Sequence, residues 1–443
     1  MKNNLARSFS TKTLLQFAFP TVFMMVFTAL YTMVDGIFVA NFVGSHALSA
    51  INMVYPAMSI IIAVAVMLAT GGSAVVAFNM GEGRSRDALE NFSMLTVVAA
   101  ILGLLTAVLG TIFLEPILRL MHVTPLTHDY ARDYLLPIVL SAPPAMFQML
   151  FQAFFVTAGK PKLGMVLTLL GGGANIFLDW LFVAVLRWGT LGASIATSIG
   201  YAIPGFAGLL YFLLHRKGTL YLVKPRFRFR VLARACGNGA SEMVTNLAGS
   251  LSTFLFNTIM LARCGEDGVA AITVILYAQF LLNSAFMGFS GGVAPVFGYH
   301  YGAQNRKELH KLFRISMSFV VGLSLCMFGL ALALERPIIS VFARPGTNVF
   351  AIAQEGFGLF AIGFLFAGTN IFASGFFTAF SDGKTSAILS LMRTFVCFLV
   401  CIEVMPRLWG LPGVFLAVPA AECLTLFLAI WYFVRKRHVF GYA

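Results

Sequence analysis

The chain has 443 residues, of which 59% are hydrophobic and only 11% are charged, and its mean hydropathy is +0.88. This composition excludes a soluble globular protein, because a soluble surface must be polar. The formal net charge is +13. On a membrane protein such an excess is typical of lysine- and arginine-rich cytoplasmic loops. We therefore expect no nucleic-acid partner.

Long apolar runs recur along the whole chain, each long enough to cross a hydrocarbon core about 30 Å thick. They do not alternate between polar and apolar residues as the strands of a membrane β-barrel do. The pattern predicts an all-α polytopic membrane protein with twelve transmembrane helices. We place the spans at residues 14–40, 47–78, 89–113, 130–158, 163–186, 191–214, 234–262, 268–300, 310–333, 352–380, 385–406 and 411–434.

The distribution of basic residues predicts the topology. An even number of spans puts both termini on one side, and the loops on that side carry most of the 30 lysines and arginines. Basic loops mark the cytoplasmic side, so we expect both termini in the cytoplasm and the chain in a bacterial-type inner membrane. The most basic stretch, residues 215–234, is either a solvated linker or a surface for anionic lipid headgroups.

The two halves of the chain resemble each other weakly. Residues 44–88 match residues 265–309 without a gap at a shift of 221, which pairs Gly81 with Gly302 and Gly44 with Gly265. Six spans in each half give both halves the same orientation, related by a two-fold axis along the membrane normal. We predict an N-lobe (1–214), a cytoplasmic linker (215–233) and a C-lobe (234–443). These lobes form two pseudo-symmetric six-helix bundles around a central cleft, an architecture typical of transporters.

The N-lobe contains carboxylates within its spans. A charged side chain at the bilayer centre costs roughly 2.5–3.5 kcal/mol, so such residues usually face a cavity, pair, or bind ions. Asp35 lies in the first span, and Asn175 and Asp179 share one face of the fifth, beside three glycines (171–173) that permit close helix approach. Together with the hydroxyl of Thr197 they suit Na⁺ or a proton equally well. A structural hydrogen-bond network is the alternative.

The C-lobe contains a second set of charges. Glu242 begins the seventh span, Asp382 ends the tenth, and Arg393 lies within the eleventh. Arg393 needs an acidic partner in the membrane, for which Asp382 and Glu242 are candidates. These three residues form a candidate C-lobe charge site, with a wet structural role near the membrane boundary as the alternative. The role of Glu422 in the last span is left open.

The repeat indicates that the fold does not in general require a carboxylate at the position of Asp35. The shift of 221 puts Phe256 opposite Asp35, so the second half keeps no carboxylate at this position.

The chain also has 45 phenylalanines and 20 methionines. Rings and thioethers can repack around varied ligands, although most of them pack in the core or face lipid. Met25, Gln148 and Tyr201 are our candidates for the lining of a substrate cavity.

The ordered set of motifs resembles the multidrug and toxic compound extrusion (MATE) family over essentially the whole chain. Pro20 and Asp35 stand fifteen residues apart in the first span. They are followed in order by "GSHALSAINMVYP", "GGSAVVAFNMGEG", "AGKPK", "GGVAPVFGYHYGAQ" and "SDGKTS". No single motif is specific; the resemblance lies in their order. The chain departs from many relatives where span 7 opens with "GNGASEM" in place of a Leu-Pro-Ser sequence.

The resemblance implies a cation-coupled antiporter that exports amphiphilic, often cationic compounds by alternating access. In the branch similar to the DNA-damage-inducible members, the coupling residues match Asp35, Asn175, Asp179 and Thr197. Pro20 matches the position where the first span bends in that branch. The sodium-linked branch uses C-lobe carboxylates at places comparable to Glu242 and Asp382.

Other functions are compatible with a two-lobe membrane protein. An exporter of lipid-linked oligosaccharides would need basic residues in the cavity to bind phosphates, and only Arg393 lies within a span. An exporter of another endogenous metabolite is a further alternative. A passive channel would show a filter-like re-entrant sequence, which is not evident. No catalytic spacing of residues is evident either, so we expect no enzyme activity and no cofactor apart from a coupling H⁺ or Na⁺. We expect a monomer in the lipid bilayer.

Overall fold

The computed structural model describes residues 4–442, except for the side chain of Ser45. These residues form helices and no strands. The helices are α1 (Thr11–Phe42), α2 (Ser45–Gly81), α3 (Ser85–Ile112), α4 (Leu114–Leu120), α5 (His128–Leu140), α6 (Ala142–Thr157), α7 (Pro161–Asp179), α8 (Gly189–Leu214), α9 (Phe229–Gly302), α10 (Arg306–Ala333), α11 (Glu335–Phe342), α12 (Asn348–Ala361), α13 (Phe364–Ala379), α14 (Gly383–Leu391), α15 (Cys397–Trp409) and α16 (Leu411–Phe440). Two π-helical turns, Trp180–Val185 and Met392–Val396, follow α7 and α14.

The predicted number of spans follows from these helices. Within the described residues, 9 helices are long and apolar enough to cross a membrane, and two bent pairs raise the number to 11. The bent pairs are α5 with α6, at 57°, and α12 with α13, at 55°. Helix α9 has 74 residues and breaks at Gly265, so it holds the seventh and eighth spans. The all-α fold with twelve spans is confirmed.

The two halves share their irregularities as well as their helices. The fourth and tenth spans are the bent pairs, and the fifth and eleventh contain the π-helical turns. Gly44 and Gly265, which the repeat pairs, join the first two spans of each half with positive φ values of 115° and 65°. A residue with a Cβ rarely adopts this conformation, so glycine is required at both turns.

At glycine residues, the backbones of the two lobes pack directly against each other. These contacts lie on the face of the molecule where α1 begins and α16 ends, which we call the terminal face. A Cβ on Gly81 would lie 2.0 Å from the carbonyl oxygen of Tyr299, and one on Gly302 would lie 2.2 Å from that of Phe78. Residues 81 and 302 are related by the shift of 221, and so are residues 78 and 299. The two-fold axis therefore repeats one close contact.

Two further contacts join the lobes at the terminal face. Ahead of α1, the N–H of Phe9 donates to Glu308 at 2.7 Å, and Ser8 donates to the other carboxylate oxygen at 2.9 Å. Ahead of α9, Arg228 pairs with Asp87 at 2.8 Å. Positions 87 and 308 are repeat mates at the starts of α3 and α10. Each lobe is thus bound by the segment that leads into the other.

The hydrophobic core consists of two clusters of buried side chains. One cluster fills the N-lobe and continues across the terminal face into the C-lobe, where it includes Phe297 and Phe376. A separate cluster, with Phe256, Phe398 and Phe415, fills the part of the C-lobe away from that face. The lobes therefore share a core at the terminal face.

Candidate ion-coupling site

Glycines bring the fifth span close to its neighbours. A Cβ on Gly171 would lie 2.5 Å from the carbonyl oxygen of Gly200 in α8. One on Gly172 would lie 2.6 Å from the ring of Phe27 in α1. A side chain at either position would push α7 away, so the prediction of close approach is confirmed for these two glycines. Gly173 faces open space.

The close approach brings Asp35 of α1 and Asp179 of α7 together. Asp179 is 0% exposed, Asp35 is partly buried, and their carboxyl groups face each other closely enough to interact. Within the described chain, both oxygens of Asp179 and Oδ1 of Asp35 have no close hydrogen-bond partner. Among the same residues, no basic side chain acts as a counter-charge to either acid.

Asn175 and Thr197 complete the predicted group. Asn175 lies one turn before Asp179 on α7 and donates its amide to Thr197 Oγ1 at 3.5 Å. Asn175 is 2% exposed, and its Oδ1 has no partner in the described part of the chain. A buried polar atom without a partner costs about 1–3 kcal/mol, so these oxygens are available to a bound ion or proton. Its free carboxylate and amide oxygens are the hard ligands that fit Na⁺, or a proton shared between the acids.

The backbone at this site is irregular. Asp179 is the last residue of α7, and the π-helical turn Trp180–Val185 follows directly. Such turns inside α-helices are frequent at functional sites. On α1, by contrast, the helix continues through Pro20 without interruption. The bend at Pro20 stays a prediction.

Aromatic side chains surround the acids. Tyr31, one turn before Asp35, interacts both with the Asp35 charge and with Gln148 of α6. Tyr201 of α8 also lies within electrostatic range of Asp35. Two of the three predicted cavity residues therefore lie toward the site. The third, Met25, is ten residues before Asp35 on α1, about 15 Å along the helix.

Sequence reasoning missed two of these tyrosines. Tyr31 could have been found from its spacing of four residues from Asp35, which places both on one helix face. Tyr134 of α5 is 3% exposed and lies within electrostatic range of Asp35 and Asp179. No sequence signal connects it to them, because the bend between α5 and α6 sets its position.

The C-lobe residues do not form the predicted group. Asp382 stands at the N-terminus of α14, where it accepts hydrogen bonds from the backbone N–H of Thr385 at 3.3 Å and from its hydroxyl at 2.7 Å. It also pairs with Lys436. The prediction that Asp382 could be the partner of Arg393 is wrong, because helix capping and a lysine already occupy this carboxylate.

Arg393 instead pairs with Glu422 of α16 at 2.8 Å. Asn370 of α13 donates to the second carboxylate oxygen of Glu422 at 2.7 Å. Glu242 is close enough to Arg393 for their charges to interact but forms no ion pair with it in the described residues. Of the three predicted members, only Glu242 and Arg393 lie near each other.

Two six-span lobes, a two-fold axis and an unpaired acid pair inside one lobe define a two-lobe membrane transporter. The family model described as MatE matches residues 20–181 and 243–402, one match in each lobe. The matches cover well over half of the chain. The chain therefore belongs to the MatE family.

Known proteins match the whole length of the chain. "Multidrug export protein MepA" of Staphylococcus haemolyticus (strain JCSC1435) is 24% identical over 449 aligned residues, which cover 96% of this chain and 94% of the relative. The solved structure described as "Crystal structure of MATE in complex with MaL6" has a TM-score of 0.94 at 19% identity and covers 100% of both chains. "Outward-facing conformation of a multidrug resistance MATE family transporter of the MOP superfamily" has a TM-score of 0.93 at 19% identity, covering 100% of this chain and 99% of the other. At this identity the structures establish the fold.

Proposed function

We propose that the protein is a secondary active multidrug exporter driven by H⁺ or Na⁺ antiport. The observation that carries the proposal is the Asp35–Asp179 pair, whose oxygens lack partners inside the N-lobe of a MatE family member. The name of the staphylococcal relative supports export of varied compounds. The basic loops support both termini in the cytoplasm, and the bacterial relatives support a bacterial cell membrane. We further propose a monomer.

Two facing carboxylates cannot both ionise cheaply away from water. Binding of Na⁺ or a proton removes their repulsion and lets α1, α7 and α8 pack more closely. Loss of the ion restores the repulsion and loosens the same helices. The ion therefore favours one packing of the N-lobe over the other, which is what coupling requires.

Helix α1 connects this site to the C-lobe. A Cβ on Gly288 of α9 would lie 2.5 Å from Val22 Cα, and one on Gly292 would lie 3.2 Å from Ala18 Cα. Pro20 lies between these two contacts. A change of packing at Asp35, or a bend at Pro20, would therefore alter the contact between the lobes.

The cargo is an amphiphilic compound, often a cation. Export of a lipid-linked phosphate is disfavoured, because Arg393 is already paired with Glu422. A passive channel is disfavoured by the contacts that join the lobes at the terminal face, which a continuous pore would have to cross.

The test is transport in proteoliposomes with pH and Na⁺ gradients imposed separately. We expect a fluorescent cationic dye to accumulate against its own gradient under one of them, and Asp35→Asn to remove this accumulation. Equilibration of the dye without accumulation would identify a passive channel. Unchanged accumulation by Asp35→Asn would reject the N-lobe mechanism.

A further inference from the structure

The seventh span carries a row of polar side chains that the N-lobe site does not use. Asn246, Ser250, Thr253 and Asn257 follow Glu242 at intervals of four, four, three and four residues. This spacing puts all of them on one face of α9. We call Asn246, Ser250, Thr253 and Asn257 the polar stripe. The neighbouring face carries exposed apolar residues: Leu247 and Leu251 are as expected for contact with lipid, and Phe254 and Leu261 line a cavity with Asn257.

The polar stripe faces the cleft between the lobes. One turn before Glu242, a Cβ on Gly239 would lie 2.0 Å from the carbonyl oxygen of Met67 in the N-lobe. At the other end, the repeat mate of Asn257 is Gly36 on α1, where a Cβ would lie 3.8 Å from the hydroxyl of Tyr277 in the C-lobe. Asn257 itself lines an open cavity together with Phe254 and Leu261, and we infer from the two-fold relation that this cavity opens toward the N-lobe.

The helix itself engages only two of these polar side chains, since Asn246 and Thr253 donate to carbonyl oxygens one turn earlier at 2.8 and 3.1 Å. Apart from Gly265, α9 has helical backbone angles throughout. The stripe is therefore not needed to bond N–H or carbonyl groups freed by a break in the helix. Ser250 Oγ and Asn257 Oδ1 are buried atoms with no hydrogen-bond partner in the described residues. Polar side chains in a span are costly, and they usually face a cavity, pair, or mark a substrate path.

The carboxylate at the terminal-face end of the stripe adds a charge. Glu242 is half-buried and has no ion pair within the described chain. On α1, the repeat mates of Asn246, Ser250 and Asn257 are Met25, Ala29 and Gly36, which carry no polar side chain, whereas the mate of Thr253 is Thr32. At three of the four stripe positions, the seventh span therefore carries a polar side chain where the first span does not.

We propose that the polar stripe is a cargo subsite that selects amphiphilic cations with N–H donors, such as protonated amines and guanidinium compounds. This inference rests on the proposed export function. The head group donates hydrogen bonds to the stripe, Glu242 attracts its charge, and the apolar body lies against the α1 wall. A quaternary ammonium compound carries the same charge but no donor, so it gains less from the stripe.

The test compares two probes on matched variants. The probes are a fluorescent primary-amine amphiphile and its N-trimethylated analogue, which share tail and charge. The variant is Thr253→Val combined with Asn257→Leu, and the control is Thr245→Val. Thr253 and Thr245 both donate to the carbonyl four residues earlier, at 3.1 and 2.9 Å, but only Thr253 lies on the stripe.

We expect the double variant to weaken binding of the primary amine about tenfold, the effect of two lost hydrogen bonds. Binding of the trimethylated probe should change less than about twofold, and the control should bind both probes as wild type does. Binding is measured on purified protein in detergent, without any gradient. Equal weakening for both probes, or none for either, would overturn the subsite.

The same preparations separate this inference from the function on which it rests. Gradient-driven accumulation of the trimethylated probe by wild type tests export independently of the stripe. If accumulation is absent while the double variant still loses only the primary amine, the subsite stands and the export proposal fails. If export is present and the variant shows no selectivity, the reverse holds.

Discussion

The N-lobe and the C-lobe share one architecture but treat their buried acids in opposite ways. In the N-lobe, Asp35 and Asp179 face each other with no basic partner. In the C-lobe, Glu422 is satisfied by Arg393 and Asn370. The acids also occupy different places: Phe256 stands opposite Asp35 in the repeat, and Tyr201 stands opposite Glu422.

This difference shows that the fold itself needs neither carboxylate, because an aromatic residue serves at the equivalent position. A buried acid that is already paired with arginine changes charge only at a large cost. Two facing acids without a counter-charge gain from binding a cation. We therefore propose that ion coupling lies in the N-lobe and that the C-lobe pair has a structural role.

The largest expected effect is on coupling. Asp179→Asn should abolish gradient-driven export, because a single remaining carboxylate no longer creates the repulsion that the ion relieves. Apparent Tm in detergent should not fall. The matched control is Glu403→Gln, an exposed acid at the approximate repeat position of Asp179, which pairs with Arg407 on the surface. Export that survives Asp179→Asn but not Glu403→Gln would instead place ion coupling in the C-lobe.

The C-lobe pair should affect stability before it affects coupling. Glu422→Gln leaves the charge of Arg393 buried without its partner, which costs about 3–5 kcal/mol. The double variant Glu422→Leu with Arg393→Met removes both charges and should recover most of the lost stability. Thermal unfolding in detergent measures both effects. A stable Glu422→Gln protein that no longer couples would place an ion site in the C-lobe.

Substitution of the glycines at the terminal face tests whether the two lobes move as equivalent bodies. Gly81→Ala and Gly302→Ala each put a Cβ about 2 Å from a carbonyl oxygen of the other lobe. Overpacking of this kind costs about 1–3 kcal/mol, and it should force the lobes apart at this face. A thiol reagent on a cysteine introduced in the contact measures the opening. Gly237→Ala, with nothing within 4 Å, is the control.

The two-fold relation predicts effects of similar size for Gly81→Ala and Gly302→Ala. Both should expose the terminal face to a similar extent, because they disturb one repeated contact. A large effect from one glycine and none from the other would show that the lobes do not move as equivalent bodies.

The sequence predicted the features that depend on hydropathy and on backbone angles. Apolar run lengths located the spans, including the boundary between the seventh and eighth spans, where α9 breaks at Gly265. The helix spacing of Asn175 and Asp179 predicted one polar face of α7. These features are local, so neighbouring residues determine them.

Contacts between distant spans could not be predicted in the same way. The partner of Arg393 depends on how the eleventh and twelfth spans are rotated, and the π-helical turn Met392–Val396 alters that rotation. Asp382 looked available because sequence spacing does not show that Lys436 reaches it. Pairing across helices is set by packing, which one sequence specifies only indirectly.

The smallest expected effect concerns the two contacts ahead of α1 and α9. Arg228 pairs with Asp87 and Glu90 between partly exposed groups, whereas Glu308 accepts from the neutral donors of Phe9 and Ser8. Partly exposed ion pairs contribute up to about 1 kcal/mol and weaken with salt. Arg228→Gln should therefore speed opening of the terminal face slightly, and only at low ionic strength. Glu308→Gln should have an effect on the lobe contact that varies less with salt, because its partners in the other lobe, Phe9 and Ser8, are neutral and its ion pair with Lys311 lies within α10. Thiol accessibility measured at low and high salt separates the two contacts, and equal salt dependence would mean that both act through general charge.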